Sequence, residues 1–227
     1  ESFDIFKDER VRLAIAHAVD WEAIAQTAGE INATPAKSAL ASTIFGYKEV
    51  GLYEYDPELS KQLLADAGYQ DGFEFTATEE EYPASVRALE AMQPYLQEIG
   101  VTMNIEVVDA ATENDMNARG VTQAAIFNMT AMTGDPAHTL NGTVKASATI
   151  TGRTQDEYYN ELYDRGMAEM DEDARRAIYE EIQDYIFEHA LQIPVFEQIV
   201  TYATRDYVKG FVPDAGMQIE FKSISIE

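Results

Sequence analysis

Apolar positions along this chain repeat with two periods, roughly 3.6 and 2, and the periods alternate. Val11, Ile15, Ala18 and Val19 share one helical face. Asp20 caps a new start, with Trp21 and Ile24 opening a second stripe, so residues 8–28 read as helix in two parts. Residues 29–47 keep no steady period and contain Pro35, which predicts an ordered loop. Asp56, Pro57 and Glu58 place a cap, a first-turn proline and an acid in helix-starting order. Leu59, Leu63, Leu64 and Ala67 form that helix's apolar stripe, and Gly68 ends it.

Phe73, Phe75 and Ala77 alternate with Glu74 and Thr76, as in a half-buried strand. Val86, Leu89, Met92, Leu96 and Ile99 predict a helix, kinked at Pro94 and ended by Gly100. Val101, Met103, Ile105 and Val107 predict a second strand. The acidic residues 110–118 have helical potential and lead to Gly120. Residues 124–127 read as a buried central strand, which runs into the polar, aperiodic residues 128–133. Gly134, Asp135 and Pro136 then signal a turn.

Thr154 to Glu157 reads as a capping box before a helix carrying Tyr159, Leu162, Tyr163 and Met170. Asp171 opens another helix, with Ala174, Ile178, Ile182, Tyr185, Ile186 and His189 in register. Residues 193–196 and 200–203 predict two short strands. Helices and strands in this order imply an α/β fold with a mixed sheet flanked by helices.

Composition narrows the function. The chain has 227 residues, 46% of them hydrophobic, enough for a sizeable core. Its formal net charge is -25, from 41 acidic and 16 basic residues. Such a surface repels phosphate backbones, so no nucleic-acid partner is expected. There is no Cys, which removes disulfides, thiolate metal sites and Cys nucleophiles. His17, His138 and His189 lie far apart in sequence, and no hydrolase or nucleotide-binding motif occurs. No cofactor and no resident metal are expected.

The candidate site is the stretch after the central strand, because ligands of α/β folds bind past the carboxyl ends of strands. Its residues are Asn128, Met129, Thr130, Met132, Thr133, Asp135 and His138.

Six segments together carry a resemblance: DERVRLAIAHAVDWEAIA, YEYDPELSKQLLADAGYQDGFEF, LQEIGVTMNIEVVD, TGDPAHTL, DEDARRAIYEEIQDYIFEHALQIPVFE and VKGFVP. In this order and spacing the chain resembles family 5 solute-binding proteins of bacterial ATP-driven importers, the peptide- and nickel-binding group. The resemblance implies one lobe of a type II periplasmic-binding-protein-like fold. Residues 1–208 match a C-terminal ligand-binding lobe, and residues 209–227 match a return segment to an N-terminal lobe.

It also implies a non-enzymatic binding role for a peptide or small polar solute, and a membrane permease as partner. The implied location is extracellular or periplasmic, with a lipid anchor as one arrangement, and the piece itself is expected to be monomeric. In many peptide-binding members an Asp three residues before the turn acid holds the peptide ammonium, and a Trp stands six before it. Here those positions are Met132 and Met129. The ligand therefore stays open between peptides, a nickel or other metal chelate, and another small polar molecule. A hydrolase using Asp135 and His138 is the enzymatic alternative.

The tail carries Ile219 and Phe221 on one side of an extended strand, with Ile224 and Ile226 on the other. Phe211 and Phe221 are expected to dock on their own domain, leaving Ile224 and Ile226 the more exposed pair.

Overall fold

The computed structural model describes residues 4–29, 32–130, 133–143, 156–213, 216 and 219–227. The first helical region is divided where expected. Asp8 caps α1 (Glu9–His17), accepting the Arg10 N–H, and Asp20 accepts the Ala23 N–H at the start of α2 (Trp21–Gly29). The loop after α2 contains a three-residue strand that its sequence did not predict, β1 (Ala33–Pro35). Asp56 caps α3 (Pro57–Asp66) through the Leu59 N–H, with Pro57 in the first turn. The buried face of α3 is carried by Ser60 and Leu64, whereas Leu59 lies exposed.

A parallel βαβ unit follows. β2 (Phe73–Glu80) and β3 (Val101–Val108) pair in register from Phe73 opposite Val101 to Glu80 opposite Val108. The crossover is α4 (Pro83–Glu98), which buries Ala88, Leu89, Met92 and Leu96. The two strands begin where the chain approaches itself closely. A Cβ on Gly72, at φ +76°, would lie 1.8 Å from the Gly100 carbonyl oxygen, so no larger residue fits without moving the backbone. α5 (Ala110–Arg119) is capped by Asp109 and ended by Gly120 in the left-handed conformation.

The remaining elements are α6 (Pro136–Thr143), α7 (Glu157–Ala168), α8 (Glu172–Glu188), β4 (Phe196–Gln198), β5 (Val208–Lys209) and β6 (Ser225–Ile226). Asp156 is the cap of α7, not Thr154, which lies outside the described residues. Met170 falls beyond α7 and is 93% exposed, against expectation. Asp171 caps α8 as expected. β4 begins at the last residue of its predicted range, and β5 replaces the strand predicted at residues 200–203.

Among the described residues the pairings form three two-stranded ladders. β2–β3 is parallel, while β1–β4 and β5–β6 are antiparallel. This is a mixed α/β fold whose strands are distributed among ladders. One apolar core joins α1, α2, α3, β2, α4 and β3; the other joins Leu40, Ile44, Leu140, α7 and α8.

The C-terminal end of α8 connects them. Phe187 stacks on Tyr53 at 4.3 Å, and the Tyr53 hydroxyl donates to the Phe187 carbonyl. Arg12 donates to the carbonyls of His189 and Ala190 there, and to those of Phe6 and Lys7. A guanidinium at this position satisfies helix-end carbonyls and complements the helix dipole.

The tail follows expectation at Phe211 and Ile226 and departs from it at Phe221 and Ile224. Phe211 is half-buried against Tyr202, with ring centroids 5.4 Å apart. Phe221 is 77% exposed, while Ile224 is half-buried. The alternation argument assumed one extended strand. Instead residues 221–223 form a 3-10 turn, and only Ser225 and Ile226 pair with β5. The turn changes the parity on which the predicted docking of Phe221 depended.

Candidate ligand-binding site

The site is built at the carboxyl end of β2. Residues 124–127 do not form the buried strand that their apolar run predicted; all four are half-buried, and only Ala124 bridges to Ala77. The reason is visible in the hydrogen bonds along this edge of β2. The Thr78 N–H donates to the Ala124 carbonyl at 2.9 Å, as in a parallel ladder. On one side of it, the Thr76 N–H donates to the Gln123 side chain at 2.6 Å. On the other, the Ile126 N–H donates to Glu79 Oε2 at 3.0 Å. Side chains thus satisfy backbone groups that a longer ladder would pair.

Glu79 is 1% exposed. Its carboxyl is pushed up from 4.5 to about 7, by burial above all and by Glu113 and Glu80, against the Ile126 N–H and the Ser85 hydroxyl, which favour the charged form. Glu113, also buried, projects from α5, and burial raises its carboxyl too. No reading of the sequence singled out Glu79, although a signal was there. Residues 73, 75, 77 and 79 share one face of the strand, so the parity of Phe75 and Ala77 leads inward to Glu79.

Beyond Ile126 the candidate residues emerge toward the surface. Asn128 is exposed and donates to Ser85 Oγ at 3.1 Å, at the start of α4. Met129 and Thr130 are half-buried, and Thr133 is exposed. Met132 lies outside the described residues. The structure therefore sets Asn128 against the first turn of α4, with half-buried Met129 and Thr130 following it in the chain.

Asp135 is occupied by the protein itself. Its Oδ1 accepts the Ala137 N–H at 2.9 Å, and its Oδ2 accepts from Arg175 Nη2 at 2.7 Å. Arg175 also donates to the Gly166 carbonyl and stands over the rings of Phe45 and Tyr179. Asp135 thereby starts α6 and fastens it to α8. Tyr163 and Tyr159 donate to the carbonyls of Ala137 and Leu140, and buried Leu140 packs in the second core. Neither oxygen of Asp135 reaches for His138, which is exposed on α6, so the pair required by a hydrolase is not assembled.

We expect Asp135→Ala to lower stability by about 1–2 kcal/mol, through loss of a cap and of a partly buried ion pair. Asp135→Asn keeps the cap oxygen and should lose less. Thermal unfolding of both variants checks this, and equal losses would contradict the division of labour.

A depression lined by Asp20, Trp21, Tyr53 and Tyr55 shares no residue with this loop. Among the described residues no group of three His, Asp or Glu side chains is placed to hold a metal ion, and no helix is long and apolar enough to cross a membrane.

Comparison with known proteins bears on the family and the fold. Heme-binding protein A of Haemophilus influenzae is 28% identical over 231 residues, covering 98% of this chain and 42% of that protein. The dipeptide-binding protein of Escherichia coli K12 is 26% identical over 230 residues, covering 97% and 43%. The solved structure of the periplasmic binding protein DppA from Helicobacter pylori, in complex with peptide STSA, superposes with a TM-score of 0.82. It is 25% identical, with 98% of this chain and 45% of that one covered. HbpA2 from Haemophilus parasuis, 24% identical with a TM-score of 0.85 over 98% of this chain and 46% of that one, shows the same fold. The fold is that of type II periplasmic binding proteins, and the chain spans less than half the length of these relatives. A family model described as bacterial extracellular solute-binding proteins, family 5 middle, matches residues 2–149. The chain belongs to the family 5 bacterial extracellular solute-binding proteins.

Proposed function

We propose that this chain is the C-terminal lobe of the substrate-binding component of an ABC importer, and that it takes a peptide or other small polar solute in a cleft between lobes. The observation that carries the reading is the loop past β2, where Asn128, Met129, Thr130 and Thr133 stand partly or fully open beyond a buried carboxylate. Polar side chains and a thioether at a strand's carboxyl end suit a small ligand with both polar and apolar parts. Met132 and His138 complete the proposed lining, and Asp135 shapes it through Arg175. Residues 209–227 are proposed to return to the other lobe. A permease is the membrane partner, the location is extracellular or periplasmic, and a lipid anchor would precede the first lobe. Hinge closure about the ligand supplies the enclosing surface that one lobe lacks.

Calorimetry tests this on the product of the complete reading frame, with Met-Leu, the tetrapeptide STSA, glutathione, heme and nickel–histidine as titrants. Peptide binding is expected there, at least about 100-fold tighter than on residues 1–227 alone, because half of the contacts are otherwise missing. Binding of nickel–histidine or heme but of no peptide would overturn the ligand class. Equal affinities for the two proteins would overturn the two-lobe reading.

A further inference from the structure

Glu79 lies directly beneath the segment that carries Asn128, Met129 and Thr130. Its Oε2 accepts the Ile126 N–H at 3.0 Å. The Ser85 hydroxyl is close enough to the same carboxylate to favour its charged form. Ser85 Oγ in turn accepts from Asn128 Nδ2 at 3.1 Å, and Ser85 is fully buried. The carboxylate therefore holds the segment directly at Ile126, and Ser85 stands between it and Asn128.

The charged groups facing it are Glu113 from α5 and Glu80 from its own strand. α4 offers the Ser85 hydroxyl, while Arg87 of the same helix donates to the Ala28 carbonyl. Residues 121–130 contain no charged side chain. Among the described residues its charged neighbours are carboxylates and few donors reach it, a costly place for a carboxylate. A glutamine would satisfy the fold at less cost, so an ionisable group here calls for a role.

We propose that Glu79 is a positioning residue for the ligand loop, and that the loop seats more tightly when Glu79 loses its proton. The idea rests on the reading of residues 128–130 as ligand-contacting. An ionised acceptor makes shorter and stronger bonds to N–H and O–H donors than a neutral one. A protonated Glu79 carries a hydrogen of its own, and the Glu79–Ser85 bond can then run in the reverse direction, loosening the tie to Asn128. With its carboxyl pushed up to about 7, this change falls within the neutral range.

Amide resonances report the change directly. In protein labelled at isoleucine and asparagine, the Ile126 backbone amide and the Asn128 side-chain amide should titrate together, with a midpoint near 7. Glu79→Gln should abolish both titrations. Ser85→Ala should raise the Ile126 midpoint, because a donor to the charged form is lost, and should uncouple Asn128. Glu113→Gln should lower the midpoint and keep the titration; loss of the titration in that variant would assign it to Glu113 and overturn the proposal. An Ile126 amide that stays fixed across neutral pH, or that titrates unchanged in Glu79→Gln, would also overturn it.

The ligand arm uses Met-Leu. Its affinity should rise as Glu79 ionises in the wild-type protein and should lose that dependence in Glu79→Gln. If the amides titrate as described and Met-Leu binds with pH-independent affinity, the anchor exists but does not position the ligand, which overturns the proposal. If the amides titrate and no peptide binds, the peptide reading fails while the coupling of Glu79 to the loop is upheld.

Discussion

Gln183→Ala is expected to destabilise the protein by about 3–5 kcal/mol, because it strips a buried polar network of its centre. Gln183 is fully buried on α8, and all four of its hydrogen-bonding sites are used. Its Oε1 accepts from Ser38 Oγ at 2.7 Å and from the Lys48 N–H at 2.9 Å. Its Nε2 donates to the carbonyls of Gly46 and Tyr179, each at 2.7 Å. Three of these partners belong to residues 38–48, a segment with no regular secondary structure. Turns within the segment pair the Ile44 and Tyr47 N–H groups with the Ala41 and Ile44 carbonyls, and a side chain from a neighbouring helix takes the Lys48 N–H and the Gly46 carbonyl.

Alanine leaves the half-buried Lys48 N–H and the buried Gly46 carbonyl without Gln183, and adds a cavity. Leucine fills the cavity and leaves the same groups without that partner, so Gln183→Leu should recover little. Urea unfolding of both variants measures this. A loss below about 1 kcal/mol for alanine, or full recovery by leucine, would show that these bonds do not hold the loop.

The same residue shows what the sequence discloses and what it withholds. The helix around Gln183 was legible, because Ile178, Ile182 and Ile186 repeat with the helical period and Asp171 marks the start. The buried role of Gln183 was not, because a polar residue is read as facing water, and only the tertiary position of residues 38–48 gives it partners. α6 was missed for a related reason. Its sequence, PAHTLNGT, has weak helical propensity and the Gly134–Pro136 turn signal dominates. The helix is held from outside itself, by the Asp135 cap, the Arg175 ion pair and the tyrosine hydroxyls of α7.

At the site, the loop past the central strand was placed from its apolar run and its turn, yet the strand was overestimated. Local hydrophobicity cannot reveal that Gln123 and Glu79 take the bonds of a ladder. Glu79 itself was hidden by its charge, since the alternation was followed only as far as its last apolar member, Ala77.

Glu79→Gln is the second large effect, and it depends on pH. The folded-state pKa of Glu79 is raised from 4.5 to about 7, so between these values the folded protein binds more protons than the unfolded chain. The contribution to stability is fully present below about 4.5 and is lost as pH rises through about 7. Its size is about 2–4 kcal/mol, from the shift at 1.36 kcal/mol per unit. An amide titrates nowhere in this range. The two proteins should therefore match in stability in acid, and Glu79→Gln should be the more stable by about 1–3 kcal/mol above neutral pH; the smaller figure allows for an amide having one acceptor oxygen where the carboxylate has two. Comparing variant with wild type at each pH cancels the common effect of a chain with formal charge -25.

Urea titrations across the range give the difference curve. A flat curve, or one that favours wild type in alkali, would mean that the carboxylate is better solvated than its burial indicates. If the curve has the expected shape, ionised Glu79 is a group that the fold tolerates at a cost. A cost borne at the carboxyl end of β2, beneath Ile126 and Asn128, is what a strained functional site shows and a purely structural strand end does not. The stability curve and the pH dependence of Met-Leu binding should then turn over together, because one proton on one carboxylate governs both.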